Sequence, residues 1–194
     1  MDEVILIYIN TDIIKKLFLG HNMGKKIKTG IEEKYYELIK AKLEGILKSR
    51  LAEKPVYLEI TASMGFSPKL KQAVPNHREI IFSFLTKKPD ITGFVSDKYS
   101  NDFLIAEVKQ KITINDIYQT KMYKELFDAK YTFLISLQPI PEEIKRLCKN
   151  TFNILHSDQD SIYRFFVLGH FDSERNDFID WFEENPFEKE TYWK

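Results

Sequence analysis

Only one cysteine, Cys148, occurs in the 194 residues, which excludes an intramolecular disulfide and any zinc or iron–sulfur site built from several cysteines. No apolar run approaches the roughly 18 residues of a membrane span. The opening residues, MDEVILIYIN, begin with acids and lack the basic flank and small-residue cleavage site of a secretory signal. Net charge is missing as well: 29 Lys and Arg balance 29 Asp and Glu, so global charge gives no hint of a polyanionic partner. Internal repeats and low-complexity segments are absent too. Together these absences predict a cytoplasmic protein, and residues 1–194 are enough for a single domain with a sizeable core.

The distribution of charge says more than its sum. Residues 1–90 hold 16 basic against 11 acidic residues, a net +5, which leaves 13 against 18, a net −5, in residues 91–194. Basic residues gather at Lys15, Lys16, Lys25, Lys26 and Lys28, and again at Lys40, Lys42, Lys48, Arg50 and Lys54. Such clusters suit a phosphate backbone; for the second, a solvated helix face competes with that reading.

Along the chain, residues 3–9 read as a strand, followed by a brief helix that stops at Gly20. Residues 31–51 predict the first long helix, with Ile31, Tyr35, Tyr36, Ile39, Leu43, Ile46 and Leu47 at helical spacing. Glu32 falls inside that apolar arc, whereas Glu33 and Glu37 fall on the far side; an acid on a buried face needs compensation, although in a first turn it also favours the helix dipole. After Pro55, residues 56–61 alternate as a strand, and residues 63–76 read as a loop with a helical turn. Residues 78–85, REIIFSFL, lean towards strand, with helix as the alternative. Thr113 and Asp116 form a capping-box variant for a second long helix. Its expected core stripe is Ile114, Ile117, Tyr118, Met122 and Leu126, with Gln119, Tyr123 and Phe127 on a neighbouring line. A buried strand over 131–137, a helix after Pro139, a short strand over 152–155, a strand over 162–171 and a last helix begun by Asp172 and Ser173 complete the reading.

Residues 88–109, KPDITGFVSDKYSNDFLIAEVK, carry the chemistry. Residues 90–95 and 102–109 read as strands joined by a polar turn. Asp90 opens the first strand; Glu107 and Lys109, two apart, share a face of the second. If the strands pair, all three meet at one end of the sheet. Two carboxylates in that position suit a hard divalent cation, which lowers the pKa of bound water and polarises a phosphoryl oxygen. A lysine beside them would hold the attacking water or offset developing charge. The same acid-x-Lys spacing at Glu32–Lys34, Asp128–Lys130 and Glu143–Lys145 lies in stretches that read as helical.

Pro89-Asp90 followed by Glu107-Val108-Lys109 resembles the two halves of the PD-(D/E)XK phosphodiesterase motif, and Gln119-x-x-x-Tyr123 resembles the Q-x-x-x-Y element of its RecB-type members. The resemblance spans about residues 30–157. It implies an α/β (α+β) fold with a mixed sheet and a restriction-endonuclease-like αβββαβ core. Residues 1–29 would then be a strand–helix extension, and residues 158–194 a strand plus an acidic, aromatic helix. It further implies a metal-dependent nuclease that hydrolyses phosphodiester bonds in DNA, using Mg²⁺ or Mn²⁺. The metal ligands would be Asp90, Glu107, the Val108 carbonyl and a helix acid, Glu32 with Glu33 in reserve. Lys109 would act on the attacking water, supported by Gln119 and Tyr123. Relatives that cut both strands use two subunits, so a homodimer belongs to the same expectation. The cysteine cluster of iron–sulfur relatives is missing. The alternative from another class is a non-catalytic nucleic-acid-binding or assembly protein on a nuclease-like fold.

Overall fold

A computed structural model describes residues 30–51, 54–151, 154–155, 164–182 and 186–188. The strand and helix expected before residue 30, with the first basic cluster, lie outside the described residues. Helix α1 (Glu33–Arg50) precedes strand β1 (Val56–Ile60). A connection with helix α2 (Pro68–Ala73), a 3-10 turn (Asn76–Arg78) and helix α3 (Ile81–Phe84) leads to β2 (Ile91–Ser96) and β3 (Asn101–Lys109). Then come α4 (Ile114–Phe127), β4 (Tyr131–Ser136), α5 (Glu142–Asn150), β5 (Phe165–Asp172) and β6 (Asp177–Trp181). The fold is mixed α/β, with six strands in one mixed sheet in the order β1-β2-β3-β4-β5-β6. Strands β3, β4 and β5 run parallel, and β1, β2 and β6 pair antiparallel to their neighbours. None of the described helices is long and apolar enough to cross a membrane.

Helices cover both faces of the sheet. On one, Tyr36, Ile39, Leu43 and Leu47 of α1 pack on Ile91, Leu104, Ala106, Val108 and Phe133. On the other, α2 and α4 meet Phe94, Phe103 and Ile105, while α5 packs on Leu134, Phe166 and Leu168. Central strands covered on both sides account for the continuous apolar runs of β3 and β4. Residues that alternate along β3 divide between the two cores, so Glu107 and Lys109 share the α4 side with Phe103 and Ile105.

Four expectations are corrected. Within residues 78–85 there is no strand: Ile81–Phe84 form helix α3. Ile81 and Leu85, one turn apart, are buried, while Ile80 and Phe84, also one turn apart, are 59% and 67% exposed; apolar residues at both the buried and the exposed positions hide this helical period. Helix α4 is rotated from the expected stripe: Ile117, Thr120, Tyr123, Lys124 and Phe127 are its buried residues, whereas Ile114 and Tyr118 are exposed. Phe127 sets that rotation through its ring contacts with Phe66, Phe82 and Phe103.

The expected C-terminal helix is instead strand β6 over Asp177–Trp181. Asp172 Oδ1 accepts the N–H groups of Glu174 at 2.8 Å and Arg175 at 3.2 Å, and Asn176 adopts a left-handed φ of 53°. The side chain that would have capped a helix closes a hairpin turn, a use of Asp equally open to it. The strand pairing skips Ile179, and such a bulge sets Phe178 and Trp181 side by side, 4.8 Å between centroids. Their three-residue spacing therefore imitates a helix. Of the strand expected over 152–155, Ile154 and Leu155 are described and neither is extended.

Candidate active site

The hairpin register sets the site. Ile91 pairs with Ala106, so Asp90, one residue beyond the last pair, comes level with Glu107 across the two strands. Side chains opposite one another on an antiparallel pair share a face, and Lys109 joins them from two residues further along β3. Its Nζ lies 2.6 Å from Glu107 Oε2 and 3.9 Å from Asp90 Oδ2. Both carboxylates are fully buried and the lysine side chain is 12% exposed, so it stands at the opening of the cluster. Burial acts to lower the lysine's affinity for its proton, but the charges of Glu107 and Asp90 outweigh it and hold Lys109 well above the ordinary lysine range.

Asp90 is fixed from several sides. The Tyr36 hydroxyl, from α1, donates to Oδ1 at 2.9 Å, and the Val108 N–H donates to Oδ2 at 2.9 Å. The N–H groups of Thr61 and Ala62 donate to the Asp90 carbonyl at 2.9 and 3.3 Å. The Thr61 hydroxyl donates to the Pro89 carbonyl at 2.6 Å. Chain entry into β2 is thereby clamped to the end of β1. Burial, then the neighbouring Asp90 charge, pushes the Tyr36 phenol far above the usual tyrosine range, so it stays a donor to that carboxylate.

On the α4 side, Gln119 Nε2 donates to Glu107 Oε2 at 3.4 Å and to the Tyr123 hydroxyl at 3.2 Å. The four-residue spacing read along the helix is therefore a physical contact, and it aims the amide at the carboxylate. Burial, then the Glu107 charge, raises the pKa of Tyr123. Thr113 donates its N–H and its hydroxyl to the Asp116 carboxylate at 2.9 and 2.6 Å, which anchors the start of α4 beside the site.

Glu32 stands apart from the other two carboxylates. It is half-buried at the N-cap position of α1, and its Oε1 accepts the Gln110 N–H at 2.9 Å. That amide compensates the acid expected on the apolar arc, while Glu33 is exposed as the helical wheel requires. Glu32, Lys109, Gln110, Lys111, Asp116 and Gln138 line an open depression of about 650 Å³. The ammonium of Lys109 thus faces the depression, with the carboxylates behind it. His77 is exposed on the 3-10 turn.

Among the described residues, no group of three or more His, Cys, Asp and Glu side chains forms a metal-binding cluster. The donor set at the sheet end is two buried carboxylates, hard oxygens of the kind magnesium and manganese accept while retaining waters, and the Val108 N–H is bonded to Asp90 Oδ2 there. Sequence reasoning missed Tyr36 and Thr61. Tyr36 had a legible signal, standing one turn beyond Glu32 on the same helical line; Thr61, the last residue of an alternating strand, had none. The second basic cluster is engaged elsewhere: Lys40 pairs with Glu37, Lys42 with Asp177, Lys48 with Glu44 and Lys54 with Asp97. Compared with protein-family models, curated proteins and solved structures, the chain matches none.

Proposed function

We propose that this chain is a metal-dependent nuclease that hydrolyses phosphodiester bonds in DNA. The observation that carries the reading is the meeting of Asp90, Glu107 and Lys109 at one sheet end, two carboxylates buried and a lysine at the opening. Burying two acids is costly; one ammonium, that of Lys109, stands against two carboxylates, and a divalent cation would compensate the remaining charge. Asp90 and Glu107 would hold Mg²⁺ or Mn²⁺, with the Val108 carbonyl as a further oxygen donor; Glu32, set apart with Oε1 on the Gln110 N–H, would meet the ion through its waters. The metal would supply a water of lowered pKa and charge stabilisation at the phosphoryl oxygens.

The remaining roles belong to the chain. Tyr36 and the Val108 N–H hold the Asp90 carboxylate in one orientation. Gln119 does the same for Glu107 and is itself braced by Tyr123. Lys109 donates hydrogen bonds at the mouth of the cluster, where it orients the attacking water and offsets negative charge on the phosphate. With the short helices α2 and α3 and the 3-10 turn inserted between β1 and β2 set aside, the elements from α1 to β4 run helix–strand–strand–strand–helix–strand, the order that the motif resemblance implies, which supports the reading.

The test is manganese binding followed by electron paramagnetic resonance, together with cleavage of a labelled DNA, for wild type and Glu107→Gln. Wild type should bind Mn²⁺ and cut, and the variant should lose both. Wild-type protein that neither binds the ion nor cuts would overturn the proposal.

A further inference from the structure

The connection between β1 and β2 is unlike the rest of the chain. Residues 62–89 carry five Lys and Arg against one Glu, a net +4 in a chain whose net charge is zero. Arg78 is neutralised by Asp128, and Lys69 lies over the Tyr57 ring at 3.9 Å. Lys71, Lys87 and Lys88 have no ion pair among the described residues. That contrasts with the α1 cluster, whose lysines are paired.

The same connection exposes large apolar side chains: Met64 is 85% exposed and Phe84 67%. Phe82, two residues before Phe84, packs against Phe66 and Phe127. The core positions are therefore filled, and Phe84 contributes its ring to solvent. Both ends of the connection meet at the carboxylate site through the Thr61 N–H to Asp90 carbonyl bond. Lys88 folds back on the start of the connection, its Nζ 3.3 Å from where a Cβ on Gly65 would stand. Lys87 lies three residues and Phe84 six residues before Asp90, hence within at most about 11 and 22 Å of it along an extended chain.

We propose that this connection is a lane for single-stranded nucleic acid, with Phe84 as a stacking platform and Lys87 and Lys88 as phosphate contacts, running to the Asp90–Glu107–Lys109 site. The inference rests on the nuclease reading of that site and adds the substrate class. Lysines alone would serve any polyanion. An exposed phenyl ring beside them favours unpaired bases, whose π-faces are free to stack, whereas in a duplex only base edges and backbone are presented. A protein partner would use the apolar residues but would not call for the surplus of cations.

The test is fluorescence anisotropy of the full chain in EDTA, with a labelled oligothymidine of about 20 nucleotides and a duplex of equal length as probes. Wild type should bind the single strand more tightly than the duplex. Phe84→Ala should weaken single-strand binding about five- to a hundredfold, with Phe84→Trp retaining it. Lys87→Ala with Lys88→Ala should reduce the slope of log affinity against log salt by about 1.4, at about 0.7 for each lost contact. Phe84 and Lys87 are exposed and Lys88 is half-buried against Gly65; circular dichroism checks that each variant is folded. Equal affinity for both probes, no binding by wild type, or Phe84→Ala binding like wild type would overturn the lane. Because no metal is present, its failure is separate from that of the nuclease reading: binding without cutting in Mn²⁺ contradicts only the latter, and cutting unaffected by Phe84→Ala contradicts only the former.

Discussion

Lys109→Met removes the ammonium from between two buried carboxylates while keeping most of the side-chain volume. Glu107 loses a partner at 2.6 Å and Asp90 one at 3.9 Å, at a position where the lysine is only 12% exposed. Breaking a buried pair by deleting one partner costs about 3–5 kcal/mol, because the remaining charge is stranded. For a chain of this size each kcal/mol lowers the melting temperature by about 2–4 °C, so a fall of about 6–20 °C in EDTA is expected. Replacing both members, with Lys109→Met and Glu107→Gln together, should recover much of that loss, since removing a whole buried pair is often neutral. If the carboxylates are metal ligands, Mn²⁺ should also close the gap, and Lys109→Met should bind the ion more tightly than wild type. Thermal melts by circular dichroism across these variants, with and without Mn²⁺, read each step. A Lys109→Met melt within about 0.5 kcal/mol of wild type in EDTA would refute the claim that this ion pair holds the carboxylates in place.

Other expectations follow from the same geometry. Tyr36→Phe deletes a donor to a buried carboxylate and should cost about 1.5–3 kcal/mol in urea denaturation, an effect that disappears in an Asp90→Asn background if the pair is coupled. Gly93→Ala should destabilise more than Gly169→Ala. At Gly93 the new Cβ would lie 2.1 Å from the Tyr57 carbonyl, which is backbone, whereas at Gly169 it meets the Trp181 ring at 2.6 Å; the latter should cost about 1–3 kcal/mol as overpacking. His170 is held below the ordinary histidine range, chiefly by burial. The unfolded chain therefore takes up this proton first as pH falls through the ordinary histidine range, and stability drops until the folded histidine is protonated too. His170→Gln should flatten that part of a plot of urea midpoint against pH. Gln119→Ala should slow cleavage about tenfold or more while changing the melting temperature little, as expected of a residue that orients Glu107 across one charged hydrogen bond.

The sequence was most legible where two signals coincided. The β2–β3 hairpin had β-rich runs around a polar turn, and its period-two rule correctly placed Glu107 and Lys109 on one face beside Asp90. The capping pair Thr113–Asp116 and the Gln119–Tyr123 spacing were equally direct, because contacts three or four residues apart on a helix follow from its geometry. What failed was any assignment resting on one signal that two structures satisfy. An apolar run such as residues 78–85 has no visible period, and Asp172 can begin a helix or close a turn. Tertiary contacts decided both: Ile81 had a core to fill, and Trp181 had a place over Gly169. Glu32 was placed correctly on the inner arc of the helix, but its partner, the Gln110 amide 78 residues away, lies beyond what local pattern can reveal.

The proposed metal-dependent phosphodiesterase site at Asp90, Glu107 and Lys109 is open to a decisive comparison. Wild type and Lys109→Ala are assayed for cutting of single-stranded, duplex and branched DNA in Mg²⁺ and in Mn²⁺, with Mn²⁺ binding measured on the same samples. Wild type should cut, with single strands preferred, and Lys109→Ala should bind the metal but not cut. A Lys109→Ala protein that cuts normally, or a folded wild type that cuts none of the substrates with either metal, would contradict it.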